Sequence, residues 1–234
     1  MEKNPFEIQR SIFEKSKKNT RIIFDIGAYI GDITDRYEVL FPDAEFYCFE
    51  PIPSTFNSLK SRFLTKKNIH CFNVACGESQ KEVNIWETRI GSGSSLYKPS
   101  SYLMNSVNKD MIAAIDIKDS HKVPQVTLDQ FCHEKEISGI DILKMDVQGN
   151  ELNVLKGASS LLDNGKVGLV YTEVLFSSLY EGQCYYHDIA TYLQGKKYEL
   201  FDFTFLTNSG DGKLYFGDAI FLGPEILTNY SAYV

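Results

Sequence analysis

The chain has 234 residues, 43% hydrophobic and 24% charged, with a formal net charge of −7. That length suits one large α/β domain rather than two, and the composition is that of an ordinary water-soluble protein. The negative charge argues against a broad basic face for nucleic acid.

Five cysteines (Cys48, Cys71, Cys76, Cys132, Cys184) form no CxxC pair. An odd number, partly inside apolar runs, reads as buried thiols in a reducing cytoplasm rather than a disulfide framework. The four histidines show no ligand spacing, so no metal site is assigned. The N-terminal stretch is charged and does not read as a signal peptide. No apolar run approaches the ~20 residues of a membrane span.

Phe6, Ile8, Ile12 and Phe13 predict a helix over 5–18. Arg21–Asp25 is a short apolar run ending in a carboxylate and a glycine, the pattern of a buried parallel strand entering a ligand loop. A helix follows from Gly31 to Leu40, stopped by Pro42. The pattern repeats: strand Glu45–Glu50, helix Pro53–Phe63, strand Ile69–Val74. Val83–Trp86 reads as a short added strand. Residues 88–125 are the least regular part, a Gly/Ser loop at 91–95 followed by a polar stretch of weak helical character. Thr127–Phe131 reads as a short capped helix.

Further on come strand Ile140–Met145, a helix from Gly149 to Lys156 stopped by Gly157, strand Val167–Glu173 and a helix over 187–195. Tyr198–Phe203 and Tyr215–Leu222 read as an antiparallel pair joined by a turn at Thr207–Gly212. This alternation predicts one domain: a doubly wound, mostly parallel seven-stranded sheet with antiparallel C-terminal strands.

Ligands of such sheets bind beyond the carboxyl ends of the strands. Four of those ends carry acids here: Asp25, Glu50, Asp146 and Glu173. The first loop, Asp25-Ile26-Gly27-Ala28-Tyr29-Ile30-Gly31, lacks the glycines of the dinucleotide fingerprint at its third and sixth positions, Tyr29 and Asp32. It places an acid where pyrophosphate would be repelled and an ammonium attracted. S-adenosylmethionine carries an ammonium, a sulfonium and no phosphate. Glu50, at the next strand end, suits a pair of ribose hydroxyls. A methyltransferase is therefore expected and a nicotinamide-dependent oxidoreductase disfavoured.

The segments 24–34 (FDIGAYIGDIT), 48–60 (CFEPIPSTFNSLK), 73–79 (NVACGES), 93–96 (GSSL), 126–131 (VTLDQF), 143–157 (LKMDVQGNELNVLKG) and 179–183 (LYEGQ) resemble the FkbM family of S-adenosylmethionine-dependent methyltransferases. The resemblance runs from about Ile22 to Leu222. It implies that Asp25, Gly27, Ala28 and Gly31 line the methionine side of the cofactor and that Glu50 and Pro51 lie at the ribose. It implies Asn73, Val74 and Ala75 beside the adenine, Asp146 near the amino-acid end or the acceptor, and Ser94 and Ser95 closing over the site. The family pattern usually has Glu where this chain has Gln148, a departure that removes a charge.

The resemblance also implies a small-molecule, sugar, glycan or polyketide-like acceptor and O-methylation by in-line displacement. Candidate general bases are Asp146, Glu173 and His121. Asp146 and Glu173 also offer oxygens to a divalent metal ion, which nothing else in the sequence supports. Tyr180, Tyr185 and Tyr186 are candidates for acceptor contact. The alternative is a non-catalytic module on the same fold that binds cofactor or glycan without turnover.

Overall fold

The computed structural model describes residues 4–101, 116–208 and 212–231. Helix α1 (Pro5–Ser16) starts at Asn4, whose side chain accepts from the Phe6 N–H at 3.0 Å. It ends two residues before the expected boundary because Lys17 adopts a left-handed conformation, with φ 54°. Then come β1 (Ile22–Ile26), α2 (Asp32–Leu40), β2 (Glu45–Phe49), α3 (Pro53–Arg62) and β3 (Ile69–Phe72), in the predicted order.

The second half holds α4 (Leu128–Glu134), β7 (Ile140–Met145), α5 (Glu151–Lys156), α6 (Ser159–Asp163), β8 (Val167–Leu175), α7 (Tyr186–Gly195), β9 (Glu199–Asn208), β10 (Leu214–Leu222) and α8 (Pro224–Ser231). Between the halves lie β4 (Ala75–Cys76), β5 (Lys81–Thr88) and β6 (Ile117–Val126).

The main sheet has the strand order β3-β2-β1-β7-β8-β10-β9. The first five strands are parallel; β10 runs antiparallel to both β8 and β9. This is the expected doubly wound sheet with an antiparallel end. The chain builds outward from β1 to β3 and returns to place β7 on the other side of β1. The sheet's topological switch therefore falls between β1 and β7, where a crevice opens.

Successive strand residues face opposite layers. Phe24, Leu143 and Val170 enter one core with Leu128, Phe131, Val154 and Ile189. Ile23, Ile142 and Leu169 enter the other with Phe6, Tyr37, Leu59 and Ile226. In the first core Phe24, Phe49, Phe72 and Phe131 pack with ring centroids 4.9–5.9 Å apart. Burying each such ring contributes up to ~3 kcal/mol.

The sequence reading needs correction at residues 117–126, at two helices it lacked and at the end of β9. Residues 117–126, expected to be irregular, form β6, which pairs antiparallel with β5 and parallel with β4 in a separate three-stranded sheet. Residues 102–115 of that stretch lie outside the described residues, as do 209–211 of the expected turn. Helices α6 and α8 were not anticipated. Gly157 does end α5, but in the right-handed region with φ −70°. Its requirement is space: a Cβ there would lie 2.1 Å from the Gly77 carbonyl oxygen. Strand β9 runs on to Asn208, past the predicted end at Phe203, with register shifts against β10 and a left-handed Phe205. Its Leu200, Phe201, Phe205 and Leu206 are exposed at the sheet's last edge.

Among the described residues, no helix is long and apolar enough to cross a membrane. All five cysteines are free thiols.

The two glycines Gly157 and Gly195 make a sharp comparison. Gly157→Ala forces backbone apart and is expected to lower stability by about 1–3 kcal/mol. Gly195→Ala, where a Cβ meets nothing within 4 Å, is expected to be neutral or stabilising by up to ~1 kcal/mol. Urea unfolding midpoints of the two variants check this.

Candidate functional site

Beyond the carboxyl ends of β1, β2 and β7 lies a cavity of about 260 Å³. Its floor is the first loop. Gly27 has φ +75°, and a Cβ there would sit 1.9 Å from the Asp146 carbonyl oxygen, so no other residue lets the loop lie against β7. Tyr29 also adopts a positive φ, of 50°. Its N–H donates to Glu50 Oε2 at 3.0 Å, and the Ile52 N–H donates to Glu50 Oε1 at 2.9 Å. The Glu50 carboxylate is thus held by two backbone donors while each oxygen keeps acceptor capacity. Burial raises its pKa to about 7 despite those donors.

The structure places Gly27, Ala28, Glu50, Pro51, Val74, Ala75, Ser94 and Asp146 on the cavity wall. Asp25, Gly31 and Asn73 stand behind it. Gly31 lies against Phe63, whose ring a Cβ would approach to 2.4 Å. Asn73 donates to the Glu50 and Pro51 carbonyls, both at 2.9 Å, and braces the turn that carries Glu50.

Asp25 is almost fully buried. Its Oδ1 lies 2.8 Å from Lys144 Nζ, its register partner on β7, and its Oδ2 accepts from Thr34 Oγ1 at 2.7 Å. The expected direct attraction between Asp25 and a ligand ammonium is therefore replaced by an internal ion pair. Lys144 reaches the cavity wall and donates to the Gly27 carbonyl at 3.0 Å. Burial pulls the Lys144 pKa down. The neighbouring carboxylates, Asp25 foremost, outweigh this and leave it above the ordinary lysine value.

At the end formed by β7 and β8, Gln148 joins the acids. Its Nε2 donates to Asp146 Oδ1 at 2.6 Å and to Glu173 Oε2 at 3.0 Å. Its Oε1 accepts from the Tyr180 hydroxyl at 2.6 Å, and its backbone carbonyl accepts from Ser95 Oγ at 2.7 Å. Tyr180 is itself placed by Gln183, whose Oε1 accepts from the Leu179 and Tyr180 N–H groups, both at 2.7 Å. Burial first, then the charges of Asp146, Glu151 and Asp218, hold the Glu173 carboxyl well above the usual range. A divalent ion shared by Asp146 and Glu173 would have to displace the Gln148 amide.

His121 is not in a loop and does not line the cavity. It lies on β6, with Nε2 2.7 Å from Glu87 Oε2. Of the other candidate tyrosines, Tyr185 stacks on His187, and Tyr186 packs among Phe176 and Phe203. Lining residues the sequence reading missed include Tyr29, Ile85, Leu96, Lys144 and Asn150. A lysine two residues before the strand-end acid Asp146 was the signal for Lys144.

Residues 25–200 match the family model described as the methyltransferase FkbM domain. The chain belongs to the FkbM methyltransferase family. The FkbM chain is 27% identical to the 2-O-methyltransferase NoeI of Sinorhizobium fredii, over 76% of its own length and 72% of NoeI. It is 23% identical to the hexuronic acid methyltransferase AglP of Haloferax volcanii, over 72% of its own length and 61% of AglP. A crystal structure of an FkbM methyltransferase from Methylobacillus flagellatus KT shares the fold, with a TM-score of 0.52 and 15% identity. That similarity covers 87% of this chain and 44% of the other.

Removing one partner of the buried pair isolates its role. Lys144→Met leaves Asp25 charged and unpaired and is expected to cost about 3–5 kcal/mol. Adding Asp25→Asn to it is expected to recover a large part of that loss. Chemical denaturation of the single and double variants measures both.

Proposed function

We propose that the protein is an S-adenosylmethionine-dependent O-methyltransferase whose acceptor is a hydroxyl of a sugar or glycan. The observation that carries this reading is a cavity lined by the Glu50 carboxylate and by Asp146 and Gln148, with Glu173 behind the Gln148 amide. The names of two relatives, a 2-O-methyltransferase and a hexuronic acid methyltransferase, support the acceptor class.

The wall suits this cofactor. Glu50 would take the ribose hydroxyls, and Val74, Ala75, Ile85 and Leu96 give an apolar slot for the adenine. Asp146 would face the amino-acid end or the acceptor. The cofactor supplies an activated methyl group, so the chain has two tasks. It must hold the acceptor oxygen in line, an alignment that contributes up to ~7–11 kcal/mol. It must also take the hydroxyl proton. Asp146 is the best-placed base, because it lines the cavity and the Gln148 amide fixes one of its oxygens. Glu173 stands on the far side of that amide, and His121 is engaged by Glu87.

Two measurements test the reading. Calorimetric titration with S-adenosylhomocysteine is expected to give micromolar binding, strongly weakened in Glu50→Ala. Ribose hydroxyls donate to the ionised carboxylate, and Glu50 is held neutral below its pKa of about 7. Binding is therefore expected to tighten as pH rises through that value, and the dependence to vanish in Glu50→Gln. Folded parent protein that binds no S-adenosylhomocysteine would remove the proposal.

For catalysis, Asp146→Asn is expected to lower turnover about 10²–10⁴-fold on a uronic acid or other hydroxylated sugar acceptor. His121→Ala is expected to stay near the parent rate. Near-normal turnover in Asp146→Asn would rule out its role as base.

A further inference from the structure

A second concavity, of about 350 Å³, lies against the cofactor-sized cavity and shares Leu96 and Asn150 with it. It is built between the β5–β6 ribbon, helix α5 and the segment 94–97. Its wall carries two aromatic rings, Trp86 and Tyr97, and the side-chain amides of Asn84, Gln125 and Asn153.

Tyr97, Asn153 and Gln125 are held in place. Tyr97 OH accepts from Asn153 Nδ2 at 3.0 Å, and the same nitrogen donates to Asn150 Oδ1 at 2.9 Å. Asn150 Nδ2 is tied to the Cys76 carbonyl at 3.1 Å, and Gln125 Nε2 to the Ser79 carbonyl at 2.7 Å. Trp86 is half-buried, with the Lys98 ammonium 4.5 Å from its ring centroid. Asn84 is exposed. Lys81 and Glu78 complete the rim, and Lys156 lies 3.8 Å from Glu78.

Aromatic faces beside fixed amides are the chemistry that recognises a pyranose. The ring's C–H face lies on the aromatic, and amides donate to and accept from neighbouring hydroxyls. Through Tyr97 the concavity also neighbours the segment that carries Tyr180. A Cβ on Gly182 would lie 3.6 Å from the Tyr97 ring, and Gly182 sits between Tyr180 and the Gln183 that positions it. Ser95, two residues before Tyr97, bonds the Gln148 carbonyl. One short segment therefore borders both the carboxylate cluster and the groove.

We propose that this groove is a saccharide subsite that binds a pyranose unit of an oligosaccharide acceptor, away from the unit that is methylated. The identity of the ligand rests on the glycan-methylation reading; the groove itself does not. The protein would then prefer oligosaccharides to free monosaccharides.

Trp86 is the chain's one tryptophan, so its emission reports on this groove. The full chain, with S-adenosylhomocysteine present, is titrated with trigalacturonate and separately with chitotriose. A saturable emission change is expected for at least one of them, with a Kd of about 1 mM or tighter. Asn84→Ala is expected to weaken that binding about fivefold, the effect of one hydrogen-bonding side chain. Trp86→Phe, read by ligand-observed NMR, is expected to weaken it by a similar factor. Both variants are expected to keep the parent affinity for S-adenosylhomocysteine. No saturable change with either sugar up to about 20 mM would overturn the subsite, as would binding that neither substitution alters. Loss of the methyltransferase reading has a separate signature: the same parent sample, folded, fails to bind S-adenosylhomocysteine by calorimetry.

Discussion

The buried pair of Asp25 and Lys144 is the constraint on which the site depends. The two residues face each other across the parallel β1–β7 seam, where the order of strand addition reverses. Each would be very costly to bury alone. Together, with Thr34 satisfying the second carboxylate oxygen, they place a neutral polar unit at the floor of the crevice. Lys144 then uses a further N–H on the Gly27 carbonyl and ties the first loop to the neighbouring strand. The loop's tight approach to Asp146, its left-handed turn at Tyr29 and the donation from Tyr29 to Glu50 all follow from where that loop is held.

A similar logic governs the β7–β8 side of the site. Two carboxylates on neighbouring strands, Asp146 just past the end of β7 and Glu173 within the last residues of β8, repel unless something stands between them. Gln148 provides two N–H groups for them and an oxygen for Tyr180. A glutamate side chain at this position has no N–H to give and would bring a third carboxyl group. Glutamine at this position thus bridges the two acids instead of adding to their charge. The left-handed backbone of Gln148, φ 54°, is followed at once by Gly149 at φ 99°. The sharp turn aims the amide back across the strand ends.

Much of this was legible in the sequence. Buried parallel strands announce themselves as short apolar runs, and their ends fall where an acid and a glycine interrupt the run. The succession of strands along the chain and the strand-end positions of Glu50 and Asp146 followed from that pattern. Which acids face the cavity did not. Asp25 and Glu50 look alike along the chain, yet one is paired with a lysine 119 positions away and the other is not. Strand β6 escaped notice for a different reason. Lys118, Asp119 and Ser120 are all exposed, and only Val123 and Gln125 show the alternation of a half-buried strand. Pro124 hides even that signal. His121 was read as a loop residue because the strand beneath it could not be seen. Leu96, a wall residue, lies in the same irregular stretch, whereas Ile85 sits in a strand that the sequence did show but whose facing it did not.

The far edge of the sheet carries its own lesson. Strand β9 is long, ends the sheet, and exposes Leu200, Phe201, Phe205 and Leu206. A straight strand with those residues would be a template on which another chain adds its own strand. Here the ladder slips repeatedly against β10, and Phe205 turns left-handed in mid-strand. The free N–H and C=O groups therefore do not form one regular row. The irregularity that made this strand's boundary hard to read lets the protein keep greasy side chains on an open border without inviting its neighbours to polymerise along it.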